Sequence, residues 1–363
     1  MWYSSGKDTD IALWILLTTT ALVAFAGAAA AEGHSANDGV SFSGDATLGY
    51  NDTINAAAGE TAAGMYWDAS LAIAFSKALD NGLTAGVSVD IDLVDGNLGS
   101  ADLDAAGYVL SLTSETSGLY FGDTEHAAIT HWSSVGGMDA DNFSEVDGET
   151  VLRGDINVAG FDVSLSYAYN YAANQLDAMS FGAAGAFGAA TVSVAYQEAA
   201  PARAGVTGDE VFGISVGMML AGADLGLGYA SNETTGQAST GVSVGYTVGP
   251  VALAASYVME DAGDDNWDVS ATYEAGAVSA TVFTDESDDW GLEGSYAMGN
   301  GLTVYAGLVD AGEDYYVAGS YDLGGDATLL VSYVEDGDLD NGDDEIGDPA
   351  YQAGMTVEIG FTF

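Results

Sequence analysis

The last eleven residues, 353–363, limit what this chain can fold into more than any other stretch. Ala353, Met355, Val357, Ile359, Phe361 and Phe363 fall on one face of an extended chain. Gly354, Thr356, Glu358, Gly360 and Thr362 fall on the other. A strand of this length, with one wholly apolar face and one small or polar face, suits a tilted crossing of a bilayer. A soluble β-sandwich closing on the same alternation has less reason to stop at Phe363 without a polar tail. The expectation is a membrane β-barrel.

Period two recurs through most of the chain after residue 40, where no helical period of useful length appears. Val40, Phe42, Ala46, Leu48 and Tyr50 alternate with Ser41, Ser43, Asp45 and Thr47. The same alternation runs through Trp67–Phe75, Leu83–Leu93, Phe161–Tyr169, Val192–Tyr196, Phe212–Leu220, Val242–Val248, Trp267–Tyr273 and Leu329–Tyr333. The connections come in two kinds. Asp80-Asn81-Gly82, Gly249-Pro250, Gly299-Asn300-Gly301 and Gly324-Gly325 are tight and carry the residues that hairpin turns need. The segments Glu260 to Asn266, Asp285 to Asp289, Asp310 to Asp314 and Glu335 to Asp348 are longer and acidic. Short turns at one end and long loops at the other predict an antiparallel up-and-down transmembrane barrel. A direct count gives about twenty strands, with the divisions near residues 106–122 and 277–298 left open.

Charge narrows the function. The chain carries 55 Asp and Glu against four Lys and Arg, for a net charge of −51. Nucleic-acid binding, which needs basic side chains on the phosphates, is excluded. With 48% hydrophobic residues the chain is no acidic disordered tail. Apolar and acidic residues segregated by strand parity describe a wall with hydrocarbon on one side and water on the other. The competing reading is an acidic β-sandwich, soluble or in a surface layer, with a calcium-dependent structural or adhesive role. There is no cysteine, so no disulfide framework and no thiolate chemistry.

At the N-terminus, Ile11 to Phe25 is apolar, and Gly27 to Ala31 are small residues before Glu32. This predicts a secretory signal over residues 1–31, with export by the Sec route, although Lys7 is the only base ahead of the apolar run. Residues 32–363 are then the barrel.

Several short pieces, in order along the mature chain, resemble the general diffusion porins of Gram-negative bacteria, in particular the alphaproteobacterial, Rhodobacter-like type. They are Val40-Ser-Phe-Ser-Gly-Asp-Ala46, Gly118-Leu-Tyr-Phe-Gly-Asp123, Val151-Leu-Arg153, Gly160-Phe161, Gly319-Ser-Tyr-Asp-Leu-Gly324 and Phe361-Thr-Phe363. The resemblance implies an integral outer-membrane protein: a homotrimer of sixteen-stranded, water-filled barrels surrounded by outer-membrane lipid. It also implies assembly machinery that reads the C-terminal Phe363, and a third extracellular loop folded inward as a constriction. The segment near 123–149 stands in that loop's place and carries Asp123, Glu125, Asp139, Asp141, Glu145, Asp147 and Glu149. In the family such a loop faces a basic cluster across the pore. Here Arg153 alone is placed for that role, with a structural tie to Asp155 or to the loop as the other reading.

Diffusion needs a lining rather than a nucleophile. Strand parity turns Asp45, Asp68, Asp90, Asp92, Asp162, Asp224, Asp268, Glu274, Glu293 and Glu358 toward the lumen, where carboxylates concentrate cations. Asp336, Asp338 and Asp340 offer the oxygen ligands that Ca2+ prefers, although Asn341 stands where a calcium loop of the EF-hand kind needs glycine. No other cofactor is expected. No G-x-S-x-G, phosphate-binding or dinucleotide motif supports an enzyme.

Overall fold

The computed structural model describes residues 39–53, 64–94, 104–144, 150–203, 205–287, 289–336 and 345–363. The proposed signal over 1–31 lies outside them. So do Glu145, Asp147, Glu149, Asp338 and Asp340.

Alternating sequence becomes strand throughout. The first are β1 (Gly39–Asn51), β2 (Met65–Ala78), β3 (Thr84–Val94), β4 (Asp104–Thr113), β5 (Ser117–Gly122), β6 (Val151–Val158) and β7 (Phe161–Asn170). Then come β8 (Gln175–Phe187), β9 (Ala190–Gln197), β10 (Val211–Leu220), β11 (Ala223–Asn232), β12 (Gln237–Val248), β13 (Val251–Glu260) and β14 (Asn266–Ala275). The remainder are β15 (Val278–Asp285), β16 (Trp290–Gly299), β17 (Leu302–Val309), β18 (Asp314–Asp322), β19 (Ala327–Glu335), the two-residue strands β20 (Glu345–Ile346) and β21 (Tyr351–Gln352), and β22 (Gly354–Thr362). One helix of five residues, α1 (Ala127–His131), lies between β5 and β6.

Each barrel strand pairs antiparallel with its neighbour in sequence. β22 follows β19 and also pairs with β1, from Asp45↔Thr362 to Asn51↔Thr356, so a single 20-stranded sheet closes on itself. Closure leaves no free edge, which is the condition for a sheet to exist in hydrocarbon. The sandwich alternative, which needs two facing sheets, fails here. The strand number is the twenty of the direct count and not the sixteen that the resemblance implies. The two open divisions resolve as separate hairpins, β4–β5 and β15–β16.

Tight turns gather at one end with Gly39 and Phe363, and long loops at the other. At the turn end, Asn300 and Gly301 take φ of 52° and 87°, the left-handed pair that a two-residue hairpin requires. Outward positions are large and apolar: Phe42, Leu119, Leu165, Phe187, Val242, Leu292, Val317 and Phe361 are all exposed. So much apolar surface suits lipid and not water. Aromatics mark both borders of that band. Tyr50, Tyr196, Tyr229, Tyr257, Trp290, Tyr315 and Tyr333 lie near the loop end, and Tyr246, Tyr273, Tyr296 and Tyr321 near the turn end. Ala353 is a correction to the C-terminal face: it precedes β22 and is buried, whereas Met355, Val357, Ile359, Phe361 and Phe363 face outward as expected.

Candidate functional site

The lumen is shaped by the connection between β5 and β6, which turns into the barrel and lies against its inner wall. Its root is pinned by Arg153. One guanidinium nitrogen donates to the Glu125 carbonyl at 2.9 Å and to the Thr130 hydroxyl at 3.0 Å. Nε sits 3.1 Å from the Asp155 carboxylate, and the group lies 5.1 Å above the Tyr120 ring. Every one of these contacts is on the loop or on its own wall, which is the geometry of a structural tie.

From there α1 is held by hydroxyls that the wall presents. Ala127 N–H donates to Ser166 Oγ at 2.9 Å and Ala128 N–H to Ser180 Oγ at 2.7 Å. His131 Nε2 and Ser164 Oγ are 2.7 Å apart, and Ser193 Oγ donates to the His131 carbonyl at 2.5 Å. Further on, Ser144 N–H donates to Gln197 Oε1 at 2.7 Å and Ala140 N–H to Ser239 Oγ at 2.9 Å. Asp139 N–H donates to Glu260 Oε1 at 3.0 Å, and Asn266 Nδ2 to the Gly137 carbonyl at 2.6 Å. The unmade backbone donors and acceptors of an irregular segment are thereby satisfied by side chains up to 129 residues away.

Between these bonds Trp132, Val135, Met138, Ala140 and Phe143 form a buried cluster with Ala195, Val211, Ala230 and Val258 of the wall. Each large member contributes about 1.5–3 kcal/mol by leaving water. Close approach depends on small wall residues. A Cβ on Gly182 would stand 2.0 Å from the Ala127 carbonyl oxygen, and one on Gly213 would stand 2.5 Å from the Trp132 ring. The sequence reading missed this seat. Its signal is present, because most inward positions of β7 to β12 beyond Asp162 and Asp224 at the turn end are Ser, Gly or Ala.

The expected constriction acids divide. Glu125 and Asp139 are exposed. Asp141 instead takes a hydrogen bond from Trp132 Nε1 at 2.9 Å, and burial raises its pKa. Asp123 sits where a Cβ on Gly107 would meet its carboxylate at 2.4 Å, low on the loop root. Two histidines pack beneath the loop. His126 is 1% exposed, and desolvation pulls its pKa down to about 4. His131 is lowered in the same direction for the same main reason.

All ten strand acids occupy lumen-facing register positions, but they do not form one ring. Asp162, Asp224 and Glu274 lie next to the turn end, and Asp268 and Glu293 near the loop end. Asp45, Asp68, Asp90, Asp92 and Glu358 gather on the adjacent strands β22, β1, β2 and β3. There Asp45 Oδ1 accepts from Ser70 at 2.5 Å and Glu358 Oε2 from Tyr66 at 2.6 Å. Asp268 accepts from Ser256 and Asp162 from Asn157. Glu293 is partly covered, as described below. Among the described residues no group of three or more His, Cys, Asp or Glu is placed to hold a metal ion. Of the suggested calcium ligands only Asp336 is described.

A closed barrel with a lipid-facing apolar band and an inward loop defines a membrane channel. The family model of the Gram-negative porins matches residues 18–341, and the chain belongs to that family. Solved structures similar to it include a triple mutant of Rhodopseudomonas blastica porin, at 14% identity and a TM-score of 0.44. A double mutant of the same porin is 12% identical with a TM-score of 0.45. Both alignments cover 89% of this chain and 100% of the other. No curated protein matches. The protein is an integral outer-membrane porin for passive diffusion.

Proposed function

We propose that this porin favours cations and has no catalytic role. The observation that carries the proposal is the placement of charge. Ten strand acids occupy inward positions, while the two bases near the loop are paired: Arg153 is tied to the loop root and to Asp155, and Arg203 to Asp177 at 2.7 Å. No basic cluster opposes the loop among the described residues. Carboxylates in a confined, water-filled passage raise the local cation concentration and repel anions. The ten inward acids act together; single ones also keep a wide lumen hydrated. No bound cofactor enters this reading. The mature chain works as a homotrimer in outer-membrane lipid, delivered through the assembly machinery by its C-terminal strand. The support for this part is membership of the family and the outward row ending on Phe361 and Phe363.

The test is the reversal potential of the mature protein in a planar bilayer under a KCl gradient. A potential toward the K+ equilibrium value, reduced in a variant with Asp45, Asp90 and Asp92 changed to Asn, is the expected result. Conductance steps with a potential near zero would remove the charge argument and leave the pore.

A further inference from the structure

The connection between β19 and β22 reads in sequence as an acidic surface loop, yet its second half turns into the barrel. Tyr305, Tyr316 and Leu330 occupy inward positions of β17, β18 and β19, alternating with the exposed outward residues Leu308, Tyr315, Val317 and Val331. Residues 346–353 lie on that inner face. Tyr316 is 1%, Tyr351 4% and Ala353 2% exposed, and Ile346 packs against the same cluster. The Tyr351 ring lies 5.0 Å from that of Tyr316 and 6.1 Å from that of Tyr305. Gly347, at φ 93°, comes so close that a Cβ would stand 2.4 Å from the Tyr316 ring.

Polar bonds fix both ends of the stretch. Glu293 Oε1, reaching in from β16, accepts from the Tyr316 hydroxyl at 2.8 Å and from Asp348 N–H at 2.9 Å. At the other end the Ala353 carbonyl accepts from Asn51 Nδ2 at 2.7 Å and from Thr53 Oγ1 at 2.6 Å. Asp348, Pro349 and Ala350 are left as the exposed tip. Four strands beyond sixteen give the stretch room. Interstrand spacing and tilt put the backbone radius at about 20 Å for twenty strands against about 16 Å for sixteen.

We infer that residues 346–353 form a second constriction, so that two inward loops bound the passage. The first covers the wall from β7 to the start of β14, and the second covers β16 to β19. The water path then runs off-centre along β22, β1, β2 and β3, where Asp45, Asp68, Asp90, Asp92 and Glu358 line it, and Asp348 is the tip residue that faces it. This inference rests on the channel reading.

The chain has no cysteine, so Asp348→Cys supplies a single thiol. The variant is recorded in a planar bilayer before and after a cationic methanethiosulfonate reagent, with Asp264→Cys on the outer loop between β13 and β14 as the comparison. The expected result is a stepwise loss of conductance for D348C, reversed by reductant, and none for D264C. Complete labelling of D348C, shown by mass, without a conductance change would overturn the second constriction. Tyr351→Ala gives an independent reading: freeing the stretch raises single-channel conductance, and an unchanged conductance counts against the inference. Absence of any channel would instead sink the channel reading itself.

Discussion

Arg153 and His126 show how single side chains hold an irregular segment inside a barrel. Arg153 serves two loop acceptors and one wall carboxylate, so Arg153→Gln removes charge-assisted bonds worth about 1.5–3 kcal/mol each and leaves Asp155 without its partner. The expected outcome is faster hydrogen exchange at Ala127 and Ala128 and noisier single-channel current, with the barrel still heat-modifiable on gels. An Arg153 that served as the positive pole of a transverse field would instead move the reversal potential strongly and leave the exchange unchanged. His126 makes loop stability depend on pH. Its folded pKa of about 4 lies below the ordinary value of 6.5, so the unfolded segment binds more protons in that window. Stability is fully present above pH 6.5 and falls as pH drops toward 4, by on the order of 3 kcal/mol at the lower limit. Asp141 acts in the opposite sense, because its raised pKa lets the folded loop take up a proton first as pH falls. Exchange rates at the loop amides, corrected for intrinsic chemistry and measured from pH 7 to 4.5, should rise in the native protein and rise less in His126→Gln.

At the scale of the element, the loop between β5 and β6 depends on what the wall lacks. Gly182 and Gly213 leave the space that Ala127 and Trp132 occupy. Gly182→Val should therefore cost about 1–3 kcal/mol of loop seating through overpacking. Higher conductance with an unchanged folding shift on gels is the expected result, and a native conductance would show that the wall yields instead. The strands themselves were legible in the sequence, because a period of two with one apolar face in lipid leaves no ambiguity of register. β1, β7 and β14 follow their expected alternation closely. The inward course of residues 346–353 was not legible. Its anchors, Tyr305, Tyr316 and Glu293, sit on three separate strands, and each alone looks like an ordinary lumen residue. The fate of Asp141 was hidden for the same reason: its composition says acid, but only the packing of Trp132 makes it a buried acceptor.

For the whole molecule, closure through β22 and β1 makes the barrel an all-or-none object. The pairing includes reciprocal bonds at 2.9 Å between Gly44 and Phe363 at its turn end. Truncation after Gly360 removes Phe361 and Phe363 from the outward row and these bonds from the seam, and should leave protein that fails to show heat-modifiable migration after refolding into detergent. Full folding of the truncated chain would show that the upper part of the seam suffices. Strand number and parity together were readable in advance, while the division of the lumen between covered and open wall was not, since it depends on contacts across the barrel. The seat of the first loop has a consequence for inheritance. The side chains and glycines that receive residues 123–144 are spread from Ser164 to Asn266, so much of the receptor lies far from the loop in the gene. Recombination that carried the loop alone into another barrel would separate a key from its lock, and channels of this design should exchange this loop only together with the wall that reads it.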